Sequence, residues 1–234
     1  VVVFLFVKEH KDQQSTSDPN ESIKGLIPNL RDILTNKDRS GLFILLSIFF
    51  WFTGFNAVET GLSSFAVFEL GIKPGTASIV ASIANLSFIA FAIPSGYLAG
   101  RFGRRKTIIY GLLGLIPVFL LSNLLVSSMV TLIVALVLVG FFWAWINVNS
   151  LPLVYDHGGE KRIGAFTGMY YFASQTAAVL GPTLGGLLVE NVGYSYRVLF
   201  LFGAFFLVCA LLTMLKVKDR AHEEKLRQQA GAGA

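Results

Sequence analysis

The run "GLFILLSIFFWFTGFNAVETGLSSFAVFE", residues 41–69, decides how this chain is to be read. It is longer than the roughly 20 apolar residues needed to cross a bilayer's hydrocarbon core. Only Glu59 and the terminal Glu69 are ionisable within it. A carboxyl group is costly in hydrocarbon, so Glu59 needs a partner, a proton or a role.

The rest of the chain has the same character. Its 234 residues are 54% hydrophobic and 14% charged, and soluble domains carry nearer a quarter charged residues. Apolar runs at 42–68, 76–100, 107–125, 129–155, 163–189 and 197–215 predict six transmembrane segments. They are continuous rather than alternating, which predicts helices and not barrel strands. The fold class is therefore all-α integral membrane, with a bundle over 41–215. Residues 1–7 ("VVVFLFV") read as the end of a preceding transmembrane helix and 8–40 as a polar loop. Within that loop, "IKGLIPNLRDIL" has the pattern of a short surface helix. Residues 216–234 read as a charged tail. The single cysteine, Cys209, lies in an apolar run, so no intrachain disulfide is available.

Basic residues orient the bundle. Of the 19 Lys and Arg, 17 fall in the 8–40 loop, the second and fourth connections and the tail; only Lys73 and Arg197 fall on the other side. The positive-inside rule predicts that both ends of the segment are cytoplasmic, in a plasma or cell inner membrane. The net charge of +5 then reflects topology and not nucleic-acid binding. "GRFGRRK" at 100–106 lacks the spacing of a phosphate loop. His10, His157 and His222 are isolated and read as solvated surface, with no metal-ligand spacing. No cofactor is expected.

Counting along each run puts Asn56 and Glu59, Asn85, Asn147 and Gln175 near mid-membrane on the first, second, fourth and fifth segments. The third and sixth carry almost nothing polar at that depth, which predicts four helices facing water or solute and two forming an outer scaffold. Phe52, Asn56, Glu59, Thr60 and Ser63 follow the spacing of one helical face, as do Thr167, Tyr171, Ser174, Gln175 and Ala178. Asn147 and Asn149 are about 200° apart on a regular helix. Pro152 removes the bond to the Val148 carbonyl, and unwinding there would present both. Each of these amides has an alternative reading as interhelical hydrogen-bonding glue. Tyr170 points away from the Tyr171–Gln175 pair and reads as packing. Glu69 and Asp156 lie near segment ends, where water is within reach. Glu59 does not, and it has two options: a cation from chain outside this segment, or protonation, since burial disfavours the charged form.

The second segment ends "GYLAGRFGRRKT", residues 96–107. Gly96, Gly100, Arg101, Gly103, Arg104, Arg105 and Lys106 resemble the loop between the second and third helices of each six-helix half in the major facilitator superfamily. The motif's acidic residue is replaced by Gly100, which departs from the family's carboxylate-based gating contact. Read physically, the glycines permit close helix approach, and the arginines can engage neighbouring helix ends or acids. "GPTLGG" at 181–186 resembles the family's kinked fifth helix, with Gly181 and Pro182 as the kink. "WINVNSLPLVYD" and "GMYYFASQTAAVLGP" are similar to sucrose-type sugar:proton symporters and their bacterial relatives.

The resemblance implies that the segment is the C-terminal half, helices 7–12, of a twelve-helix fold. Its missing N-terminal half would be its partner, and a midplane site would be reached by alternating access. It also implies a secondary transporter, with proton-coupled symport of a sugar or similar polar solute as the leading expectation. Candidate solute-binding or proton-coupling residues are Asn56, Glu59, Thr60, Asn85, Asn147, Asn149, Tyr171 and Gln175, and the 96–106 motif would act in cytoplasmic gating. An aromatic-lined cavity with Glu59 reading a cation would favour a drug or metabolite exporter. A membrane enzyme or a non-transporting receptor-like protein is the alternative from another class. An enzyme needs a clustered catalytic set, which one carboxyl with scattered amides does not form.

Overall fold

The computed structural model describes residues 39–158 and 163–218. The expected helix end at 1–7, nearly all of the 8–40 loop, Lys161, Arg162 and the tail beyond 218 lie outside them. Helix α1 spans Ser40–Phe68, α2 Pro74–Ala81, α3 Ile83–Phe102, α4 Arg104–Leu125, α5 Met129–Gly158, α6 Ile163–Asn191 and α7 Val198–Leu215. Among the described residues there is no strand. Helices α2 and α3 together form one membrane-length element, 74–102, giving six elements long and apolar enough to cross a bilayer. The expected six segments thus match the observed ones, except that the second is interrupted at Ser82 and the fourth runs to residue 158.

Packing does not follow chain order. Helix α1 packs mainly on α6 and α7, whereas α5 packs mainly on α3 and α4. The first helix of each triplet therefore sits with the last two of the other. Glycine permits the closest of these approaches. A Cβ at Gly181 on α6 would lie 2.4 Å from the Thr53 carbonyl oxygen of α1, and one at Gly140 on α5 would lie 2.3 Å from that of Ala84 on α3. Small residues matter here because hydrocarbon offers no hydrophobic drive for helix association, leaving dispersion contacts and hydrogen bonds. The α3–α5 seam has such bonds: Ser87 donates to the Val137 carbonyl at 2.7 Å and Ser95 to that of Ala144 at 2.9 Å.

Helix α6 continues through Gly181 and Pro182, and Gly181's evident task is close approach to Thr53. At the α3–α4 junction Gly103 has φ +92°, a conformation that side chains disfavour. This explains the glycine in "RFGRRK": the chain reverses there between two helices.

Burial is uneven. In the most apolar stretch of α1 half the residues are buried, but only 17% in that of 74–102 and 28% in that of α6. Helices α3 and α6 therefore bury few of their residues in this chain, and α1 the most.

Candidate functional site

Glu59 and Asn85 come from α1 and α3, helices that share little packing with each other. Their side chains line one cavity across this gap. Glu59 lies nine residues before the end of α1, about 14 Å along the axis. Behind the pair is a cavity of about 240 Å³. Its hydrogen-bonding groups are Glu59, Asn85, Ser78, Ser82 and Ser122; its apolar wall includes Phe55, Leu136 and Phe200. Glu59, Asn85, Ser78 and Ser82 are exposed and form the mouth, with the Ser82 interruption of the second membrane element at its edge. The cavity thus offers one carboxyl and one amide against an apolar back; its three serine hydroxyls donate to carbonyls of their own segments and leave only acceptor oxygens.

The remaining sequence candidates are distributed around this point. Thr60, Tyr171 and Gln175 are exposed, Asn56 and Asn147 half-buried. The Asn56 amide donates to the Phe52 carbonyl one turn back at 2.7 Å, and the Asn147 carbonyl accepts the Ser150 hydroxyl at 2.7 Å. Asn149 requires a correction. Helix α5 does not unwind at Pro152, so Asn147 and Asn149 remain on different faces. Asn149 is buried, and its amide donates to Ser95 and to the Trp145 carbonyl, both at 2.9 Å. In a helix seam this is glue between α3 and α5. Tyr170 is likewise packed, its hydroxyl 3.1 Å from that of Ser150. Next to it Phe55 stacks on Trp143 at 3.7 Å, and Phe52 meets Trp143 edge-on at 5.5 Å. These rings tie α1, α5 and α6 together at mid-depth.

At the basic end the motif's arginines brace helix ends. Arg104 pairs with the Asp156 carboxylate and donates to the Pro152 carbonyl at 3.1 Å; Arg105 donates to the Leu215 carbonyl at the end of α7 at 2.9 Å. A cation beside carbonyls at a helix C-terminus is favourable. Arg101 and Lys106 are exposed. The glycines need a second correction. Cβ atoms at Gly96 and Gly100 would meet nothing within 4 Å, so within the described residues they allow no close approach. His157 also differs from the solvated reading: its ring nitrogens lie 3.1 Å from the Leu153 and Lys218 carbonyls.

Sequence reasoning missed a cluster at the opposite end. The Glu69 carboxylate accepts from Ser195 at 2.8 Å, the Tyr196 amide at 3.0 Å and Arg197 at 3.2 Å. Arg197 also donates to the Asn123 and Val126 carbonyls at 2.9 and 3.0 Å. One ion pair therefore joins the ends of α1 and α4 to the α6–α7 turn. The available signal was that Arg197 is one of only two cations on that side, with an acid at the matching end of α1.

The model of the Major Facilitator Superfamily matches residues 44–233. The chain belongs to that family, a superfamily of multi-pass membrane transporters rather than enzymes. It is 25% identical to the cis,cis-muconate transport protein of Acinetobacter baylyi over 233 residues, covering 95% of this chain and 54% of that protein. It is 30% identical to the drug efflux pump JefA of Mycobacterium tuberculosis over 154 residues, 64% of this chain and 29% of that one. The crystal structure of the E. coli fucose:proton symporter superposes with a TM-score of 0.70 at 16% identity, covering 93% of this chain and 51% of that one. The chain spans about half the length, or less, of the curated relatives it matches.

Proposed function

We propose that residues 41–215 form the C-terminal six-helix half of a secondary active transporter that works by alternating access, with Glu59 and Asn85 at its solute or proton site. The carrying observation is that Glu59 and Asn85, from two helices that pack little on each other, line the mouth of one 240 Å³ cavity. An intramembrane carboxyl that shares a cavity with a neutral amide, and forms no ion pair among the described residues, is suited to exchange a proton or to accept bonds from a solute. The half-transporter reading is supported by the coverage of about half of the muconate protein and of the fucose symporter. The sparsely buried α3 and α6 also fit, since they would be covered by a preceding half. The basic residues favour cytoplasmic ends in a plasma or cell inner membrane.

For the solute, proton-coupled symport of a sugar or similar polar compound is supported by the carboxyl and the amide that line the cavity, with three serine oxygens as further acceptors. It is the reading that the similarity to sucrose-type symporters implies. A second reading, export of an amphipathic drug or metabolite, has less support, because the apolar remainder of the wall is more aliphatic than aromatic.

The test uses the full-length parent in proteoliposomes, measuring sugar uptake against an imposed pH gradient for wild type and Glu59→Gln. Loss of gradient-driven accumulation with sugar exchange retained assigns the proton to Glu59. Retained gradient dependence with weaker apparent affinity makes Glu59 a solute ligand. An unchanged Glu59→Gln protein removes the site from the mechanism. Residues 1–234 alone are expected to show no uptake; saturable uptake by them would overturn the half-transporter reading.

A further inference from the structure

Hydrogen-bond donors are scarce in the cavity behind Glu59 and Asn85. Its three serines have committed their protons: Ser78 donates to the Pro74 carbonyl at 3.2 Å, Ser82 to that of Ile79 at 2.6 Å and Ser122 to that of Val118 at 2.7 Å. Each serine oxygen can still accept. The Glu59 carboxylate accepts through two oxygens and the Asn85 amide through one. All five polar side chains of the lining therefore accept, and only the Asn85 amide nitrogen donates.

Charge points the same way. Among the described residues Glu59 forms no ion pair. Of the two cations at the Glu69 end of the bundle, Arg197 is held by Glu69 at 3.2 Å, and Lys73 does not line the cavity. An ionised Glu59 thus takes its countercharge from what enters, and a protonated one adds a single donor.

Three kinds of ligand can be compared against this wall. A neutral polyol brings an acceptor oxygen with every hydroxyl it donates, and most of those oxygens would meet no donor here, which costs free energy on burial. A quaternary ammonium is recognised by a cage of aromatic faces. The lining has two rings; Phe55 stacks one face on Trp143 at 3.7 Å, and Phe200 meets Phe65 edge-on at 5.1 Å. That is no cage. A primary ammonium brings three N–H donors, a positive charge and no acceptor, the complement of what the wall presents.

We infer that the solute turns a primary ammonium group toward α1 and α3, its N–H donors shared among Glu59, Asn85 and the oxygens of Ser78 and Ser82 at the mouth. This rests on the reading of Glu59 and Asn85 as the solute site, and narrows its polar solute to an amine.

The experiment measures thermal midpoints of the full-length parent in a neutral detergent, at pH 7 and constant ionic strength. The probes are ethanolamine, choline and ethylene glycol, which share one skeleton. Ethanolamine carries charge and N–H donors, choline charge alone, and ethylene glycol neutral hydroxyls. Ethanolamine should raise the midpoint saturably, as a ligand of the folded state does, and the other two should not. Its apparent Kd should rise about thirtyfold in Glu59→Gln, which removes a charge-assisted bond, and about fivefold in Ser78→Ala/Ser82→Ala. No saturable rise with ethanolamine overturns the inference. An equal rise with choline shows that charge suffices without N–H donors, and an equal rise with ethylene glycol shows a neutral site; either overturns it. An ethanolamine Kd unchanged in Glu59→Gln or in the double serine variant puts the amine elsewhere and overturns it too. The solute-site reading fails on a different result, transport by the parent left unchanged by Glu59→Gln.

Discussion

Two carboxylates ten residues apart, Glu59 within α1 and Glu69 capping its end, have opposite surroundings. Glu69 is tied down by a serine, a backbone amide and a guanidinium that itself holds two further carbonyls. Glu59 is exposed at the edge of a cavity that it shares with the neutral Asn85, and it forms no ion pair among the described residues. The difference separates structure from function on one helix. A carboxylate with its bonds filled by three elements is a joint, and changing its charge would loosen the bundle. One that shares a cavity with a neutral amide across a gap can change partners without disturbing packing, as a site that binds and releases must.

The comparison breaks or sharpens through stability measurements on the full-length parent, as thermal midpoints in detergent. Arg197→Ala is expected to have the largest effect, about 2–3 kcal/mol. It leaves Glu69 without its countercharge and two carbonyls without donors, discounted from the fully buried case because the pair is partly exposed. Glu69→Gln should cost less, about 1–2 kcal/mol, because the amide keeps an acceptor oxygen for Ser195 and Tyr196 but loses the charge facing Arg197. Ser195→Ala removes one hydrogen bond to Glu69 and should cost about 1 kcal/mol. Glu59→Gln should shift stability by no more than about 0.5 kcal/mol while changing transport. If Glu59→Gln melts as early as Glu69→Gln, Glu59 is a joint too and the contrast fails. If Arg197→Ala melts like wild type, the Glu69 cluster is a surface pair of little worth.

The sequence made part of this legible. The unusual status of Glu59 followed from its depth in an apolar run, a property of local composition. It could not show that Asn85 is the amide that shares its cavity, since Asn56, Asn147 and Gln175 were equal candidates at similar depth. Reasoning by depth also undervalued Glu69, placed near water and expected to need nothing. Its partners are at 195–197, more than 120 residues away in the chain. Asn149 was misplaced for a related reason. Proline removes one backbone bond, but the packed seam with α3 holds α5 regular, and the amide is used within that seam.

Number, length and helical character of the membrane segments were determined by the sequence alone, because an apolar run in lipid must satisfy its own backbone and only a helix does so within one segment. The turn at Gly103 was readable for the same kind of local reason. Which helices touch was decided only by tertiary structure. The pairing of α1 with α6 and α7, and of α5 with α3 and α4, depends on matching small residues and hydrogen-bonding groups from distant segments. All of these helices are apolar on most faces, so no hydrophobic stripe in any one of them marks its neighbour. The cavity beneath Glu59 and Asn85 exists because two helices with different partners leave a gap, and a gap has no signature in either strand of sequence that borders it.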